Sequence, residues 1–140
     1  MGYFRNIALV IFMLLVFSTA YAGDDYKCKI IRLSLAEGDS GNIYNMYIKN
    51  YIGKEFTVER NSGLMSGALK NSYVTKPQVI DRGSKLNNSY KVVTTMKVEE
   101  GAGVGSNIYA LNILEYVESP NKPFVFMENE VVYFGSCVHF

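Results

Sequence analysis

The chain has 140 residues, with 14 basic and 13 acidic side chains, two cysteines, one histidine and no tryptophan. That length suits one domain, and a formal charge of +1 without a basic stripe argues against a nucleic-acid binder and gives no electrostatic reason to bind an anionic membrane. A lone histidine rules out a histidine-rich metal site, and no cofactor is expected.

The first element sets the compartment. Met1 to Arg5 carries one positive charge, Ile7 to Thr19 is uncharged and strongly apolar, and Ala20-Tyr21-Ala22 places small residues where a signal peptidase reads. The pattern predicts a signal peptide over residues 1–22 and a single exported domain over 23–140, periplasmic or extracellular. The alternative is an uncleaved anchor, but the apolar run is shorter than the roughly 20 residues a spanning helix needs, and Asp24 and Asp25 make a poor stop-transfer flank. No cysteine follows the cleavage site to carry a lipid, so no membrane span or anchor is expected after cleavage. Arg5 is the one charge removed, which leaves the exported domain formally neutral.

Tyr26 to Leu35 reads as a strand carrying Cys28. From Asp39 to Tyr51 the signal is mixed. Asp39 or Ser40 offers a helix cap, with Ile43, Met46, Tyr47 and Tyr51 near helical spacing, while Tyr44, Met46 and Ile48 alternate as a strand would; a short helix is preferred. Lys54 to Arg60 alternates strictly, with Phe56 and Val58 on one face, and Asn61-Ser62-Gly63 turns the chain into Leu64-Met65. Gln78 to Asp81 is a further strand. Tyr90, Val92, Thr94, Met96 and Val98 share one face of the next.

Ser106 to Val117 is apolar on both faces and reads as a central strand, with helix as the alternative. Pro120 and Pro123 are expected to end it. Phe124 to Met127 and Val131 to Phe134 then flank Glu128-Asn129-Glu130 as a hairpin, and the last run reaches Cys137. Six to eight short strands with regular turns predict an all-β fold, an antiparallel sandwich or small barrel, with one short helix near 39–51.

Cys28 and Cys137, one near each end of the exported domain, are expected to form a disulfide that ties the first strand to the last. The alternative is a reactive thiol, because Cys137 and His139 would share a strand face. No third residue is evident to orient that histidine, so no catalytic residue is assigned.

Gly53 to Gly63 with Gly67, the opening Tyr26-Lys27-Cys28 and the closing Gly135-Ser136-Cys137 resemble small exported proteins of Gram-negative bacteria. The resemblance spans most of the exported domain and implies the compartment and the single domain, with no activity or site residues to carry over.

Other features weigh less. Gly101 to Gly105 lacks both a βαβ context and a Gly-Lys-Ser/Thr ending, so it reads as a hairpin loop rather than a phosphate cradle. Asp81, Glu99, Glu100, Glu115, Glu118, Glu128 and Glu130 include enough acids for a carboxylate pair, yet most sit beside turns, where charges are solvated. Asn87-Asn88-Ser89 fits a glycosylation sequon. Tyr44, Tyr47 and Tyr51, in the least regular segment, are the candidate binding surface, since tyrosine combines apolar area with a polar tip. The reading that results is a small exported binding or inhibitor module without catalytic residues. Its partner would be a protein, a glycan or a small apolar ligand. The alternatives are an acid-residue-dependent hydrolase and an envelope structural or assembly component.

Overall fold

The computed structural model describes residues 24–71, 74–84 and 88–140. The signal-peptide reading and the Asn87 position of the sequon therefore lie outside the described residues. Eight antiparallel strands form one sheet: β1 (Tyr26–Leu35), β2 (Glu55–Val58), β3 (Met65–Gly67), β4 (Gln78–Ser84), β5 (Asn88–Met96), β6 (Asn107–Ile113), β7 (Lys122–Glu128) and β8 (Val131–His139). Among the described residues one α-helix, α1 (Gly41–Tyr51), joins β1 to β2.

The strand order is β3-β2-β1-β8-β7-β6-β5-β4, so the first and last strands pair at the middle of the sheet. The sheet curls into a half-barrel. β3 and β4 are its edge strands, and the β2–β3 turn reaches β4 and β5 through side chains rather than by a ladder. The Tyr90 hydroxyl donates to the Arg60 carbonyl at 2.9 Å, and the Arg60 guanidinium donates to the Arg82 carbonyl at 2.8 Å.

Strict alternation sends one row of each strand inward. Tyr26, Ile30, Leu33, Phe56, Val58, Tyr90, Leu111, Ile113, Phe124, Phe126 and Tyr133 fill the concave side as a single apolar cluster. In β1 the alternation slips once: the register shifts between Ile30 and Arg32, so Ile31 and Arg32 both face outward before Leu33 returns inside. This is a bulge, the usual way to bend a strand without losing its buried row. Opposite it, Gly135 has no room for a side chain, since a Cβ there would lie 2.0 Å from the Lys29 carbonyl oxygen.

Cys28 and Cys137 stand directly opposite each other across β1 and β8 and are disulfide-bonded. The β2–β3 turn uses Gly63 at φ +76°, the left-handed conformation that its place in the turn requires. The expected strands, hairpins and helix are present, and the segment around Leu111 is a strand rather than a helix.

Several boundaries differ from expectation. Val98 is not part of the buried row of β5 but begins a short 3-10 turn, 49 % exposed. Pro123 does not end an element; it lies inside β7 opposite Ser136, and its carbonyl accepts the Leu114 N–H at 2.8 Å. A proline near the start of a strand is tolerated when its missing donor is not needed. Ser40 occupies the helix N-cap without a side-chain cap bond, and Asp39 instead accepts from the Leu35 N–H at 2.9 Å, holding the loop that leads to the helix.

Candidate functional site

The half-barrel has two ends, and the sequence closes them by different means. At the first, β1 begins with Tyr26 opposite His139 of β8. The turn after β6 brings Glu115 between them. Its Oε1 accepts from the Tyr26 hydroxyl at 2.5 Å and lies 2.9 Å from His139 Nε2, while the Glu115 side chain is 5 % exposed. His139 Nδ1 faces the Asp24 carbonyl at 3.2 Å, so both ring nitrogens meet an acceptor. The Tyr26 and His139 rings lie 4.7 Å apart.

Lys122, also buried, donates its Nζ to the carbonyls of Glu115 and Val117 at 3.0 and 2.7 Å, which fixes the turn carrying the carboxylate. Burial and the Glu115 carboxylate push the Tyr26 hydroxyl well above its ordinary range, and burial pushes that of Tyr90 up to about 12. Both phenols are therefore held as neutral donors.

This cluster corrects two sequence expectations. Glu115 is not a solvated turn charge but a buried one, and His139 does have an orienting carboxylate. One carboxylate oxygen meets both the Tyr26 hydroxyl and the His139 ring, the imidazole side chain remains 34 % exposed, and Cys137 is in the disulfide rather than a thiolate. The network is buried at Tyr26 and Glu115 and reaches solvent at His139, and it specifies how two strand ends and a turn meet.

The other end, where Leu35 pairs with Val131, is covered by α1. Tyr44, Tyr47, Ile48 and Tyr51 pack against the core; Tyr47 stacks on Tyr51 at 5.7 Å, and Tyr51 meets Tyr133 edge-on at 5.3 Å. The three candidate tyrosines are thus brought together, half-buried and turned toward the sheet. The exposed stripe of the helix is Ile43, 60 % accessible, and Met46, 52 % accessible. The sequence pattern grouped those two with Tyr47 and Tyr51 by helical spacing, without assigning them to either face. No residue of α1 is fully buried, so the helix lies on the barrel end as a lid rather than a plug.

Beside the helix is a notch of about 190 Å³ lined by Leu35, Glu37, Ile43, Tyr47, Glu130 and Val131. Burial, and then the Glu130 charge, raise the Glu128 carboxyl above its ordinary value; burial, Tyr51 and these two glutamates do the same to the Tyr47 hydroxyl. Glu37, Glu128 and Glu130 thus gather at this end beside the apolar side chains of the notch.

Among the remaining acids, Asp81 pairs with Lys91 at 3.7 Å and Glu100 accepts from the Lys97 N–H at 2.7 Å. The glycine-rich stretch Gly101 to Gly105 simply links the 3-10 turn to β6. Among the described residues no group of three histidine, cysteine or acidic side chains is placed to hold a metal ion, and no helix is long and apolar enough to cross a membrane. Comparison with known protein families, characterised proteins and solved structures finds no match to the chain.

Proposed function

We propose that this is an exported binding module whose recognition surface is the helix end of the half-barrel, and that its partner is a protein segment offering an apolar residue next to a positive charge. The observation that carries the reading is the exposed pair Ile43 and Met46 on the helix, Ile43 lining a notch that also holds Glu37 and Glu130, neither of which has an ion-pair partner among the described residues. Exposed large apolar side chains beside unpaired charge are the composition of a contact site rather than of an ordinary solvated helix face. The filled concave side supports the same direction, because a core of buried phenylalanines and tyrosines leaves recognition to the surface.

Export fits the disulfide, which persists in oxidising compartments, and the resemblance to small exported proteins of Gram-negative bacteria. Capture from periplasmic or culture-supernatant fractions tests the reading. The native protein should retain one stoichiometric partner, with retention weakened as ionic strength screens the glutamates and abolished in Ile43→Asp/Met46→Asp. A partner held equally by the double variant would overturn it.

A further inference from the structure

The outer face of the sheet contains a second, independent feature. Across β4 to β7, Ile80, Val93, Ala110, Asn112, Val125 and Met127 line a trough of about 390 Å³, most of it apolar. Its shape follows from the register. Val93, Ala110 and Met127 lie in one row across three strands, and Lys91, Asn112 and Val125 in the next, so the small Ala110 leaves a dent between larger neighbours. Ile80 sits at the register shift of β4 and stands over one side.

Within this trough Asn112 Oδ1 is buried and has no hydrogen-bond partner. Such orphans are rare in folded proteins and costly to leave unpaired. Thr94 Oγ1 is the other orphan among the described residues, but it belongs to the inward row, away from this face. Lys91 stands at the rim with its charge already facing Asp81 at 3.7 Å.

We infer that the trough is a binding site for a compact, neutral, apolar molecule carrying one N–H or O–H donor. The apolar walls select the body of the ligand, the ion pair at the rim leaves no charge to attract an ion, and Asn112 supplies the single polar contact. A turn about the amide's terminal torsion, a soft degree of freedom, brings Oδ1 to the ligand's donor. The volume is that of a one- or two-ring molecule, at the small end of ligand sites.

Indole and benzofuran are the discriminating probes, being nearly identical in shape while only indole has a donor. Amide chemical shifts of the oxidised protein should move saturably with indole at Val93, Ala110, Asn112 and Met127. Benzofuran should bind about tenfold more weakly or worse, as expected when a buried acceptor stays unpaired. Asn112→Leu should abolish the preference for indole, and Ala110→Phe should block both probes while native circular dichroism is kept. Equal affinity for the two probes, no saturable binding of indole, or shifts confined to other faces would overturn the assignment. The shift map on the unmodified protein decides location even if Ala110→Phe does not fold. A null result here leaves the helix-end reading untouched, because that surface is read through a different variant and a different partner.

Discussion

The two ends of the half-barrel solve one problem, covering the last layer of a curled sheet, with opposite chemistry. At the Tyr26 end a buried carboxylate is met by a phenol and an imidazole, and the turn beneath it is pinned by a lysine on two carbonyls. At the Leu35 end an amphipathic helix lays three tyrosines on the core and leaves Ile43, Met46 and two notch glutamates facing outward. Matched polar groups make a closure; unmatched apolar and charged groups make a surface. The contrast teaches that a carboxylate–imidazole pair, which looks like chemistry in a list of residues, here also joins two strand ends to a turn, while the plainer helix is the end that leaves large apolar side chains exposed.

The largest way to break the contrast lies beside the closed end. Reducing the Cys28–Cys137 bond frees a loop of 109 residues' separation, and urea unfolding is expected to show a loss of up to about 4–5 kcal/mol on the chain-entropy account. Labelling of both thiols in the native, unreduced protein would contradict the bond itself. Next in size, Glu115→Leu strips the acceptor from Tyr26 and His139 and should cost about 2–4 kcal/mol. A variant as stable as the native protein would mean the cluster does not hold this end closed.

At the helix end, alanine at Tyr44, Tyr47 and Tyr51 together should lower stability as well as any binding, because all three rings pack on the sheet. A cost of about 1–3 kcal/mol is expected from lost buried area. This is why Ile43 and Met46, which the fold does not use, are the cleaner probes. A triple variant that melts like the native protein would show that the helix is not anchored by its tyrosines.

The smallest effect concerns Glu128. Its carboxyl is raised on folding, first by burial and then by Glu130, so the folded state holds the proton more tightly than the unfolded chain. The stability it lends is full below the unfolded value and is lost as pH rises through the folded one. Glu128→Gln should therefore melt higher than the native protein at neutral pH, by roughly 2 °C, and match it in acid. Identical melting curves at neutral pH would contradict the half-buried placement beside Glu130.

Much of the fold was legible because strand periodicity is local. Phe56 and Val58, and Tyr109, Leu111 and Ile113, alternate within a few residues, and the packed structure buries them as that alternation requires. The helix was legible but its facing was not: Ile43 and Met46 share helical spacing with Tyr47, and only the position of the sheet decides that Tyr44, Tyr47, Ile48 and Tyr51 pack against the core.

The Tyr26, Glu115 and His139 cluster was missed because its members are far apart in the chain, Tyr26 and Glu115 being separated by 89 positions. Part of the signal was nonetheless present. Once Cys28 opposes Cys137 in antiparallel strands, the residue two before the first must oppose the residue two after the second, which sets Tyr26 against His139. Nothing in the pattern near Glu115 announced that its turn would fold back onto that pair. The trough was equally hidden, since a row of outward residues acquires a shape only from four strands in register.

The division of labour between the two ends is tested most directly by comparing three forms of the protein for capture of the same partner: native, His139→Ala and Ile43→Asp/Met46→Asp, each first shown to be folded. The account predicts that His139→Ala retains the partner as the native protein does and that the double variant loses it. Loss with His139→Ala and full retention with the double variant would contradict it, and would make the Tyr26 end the functional one.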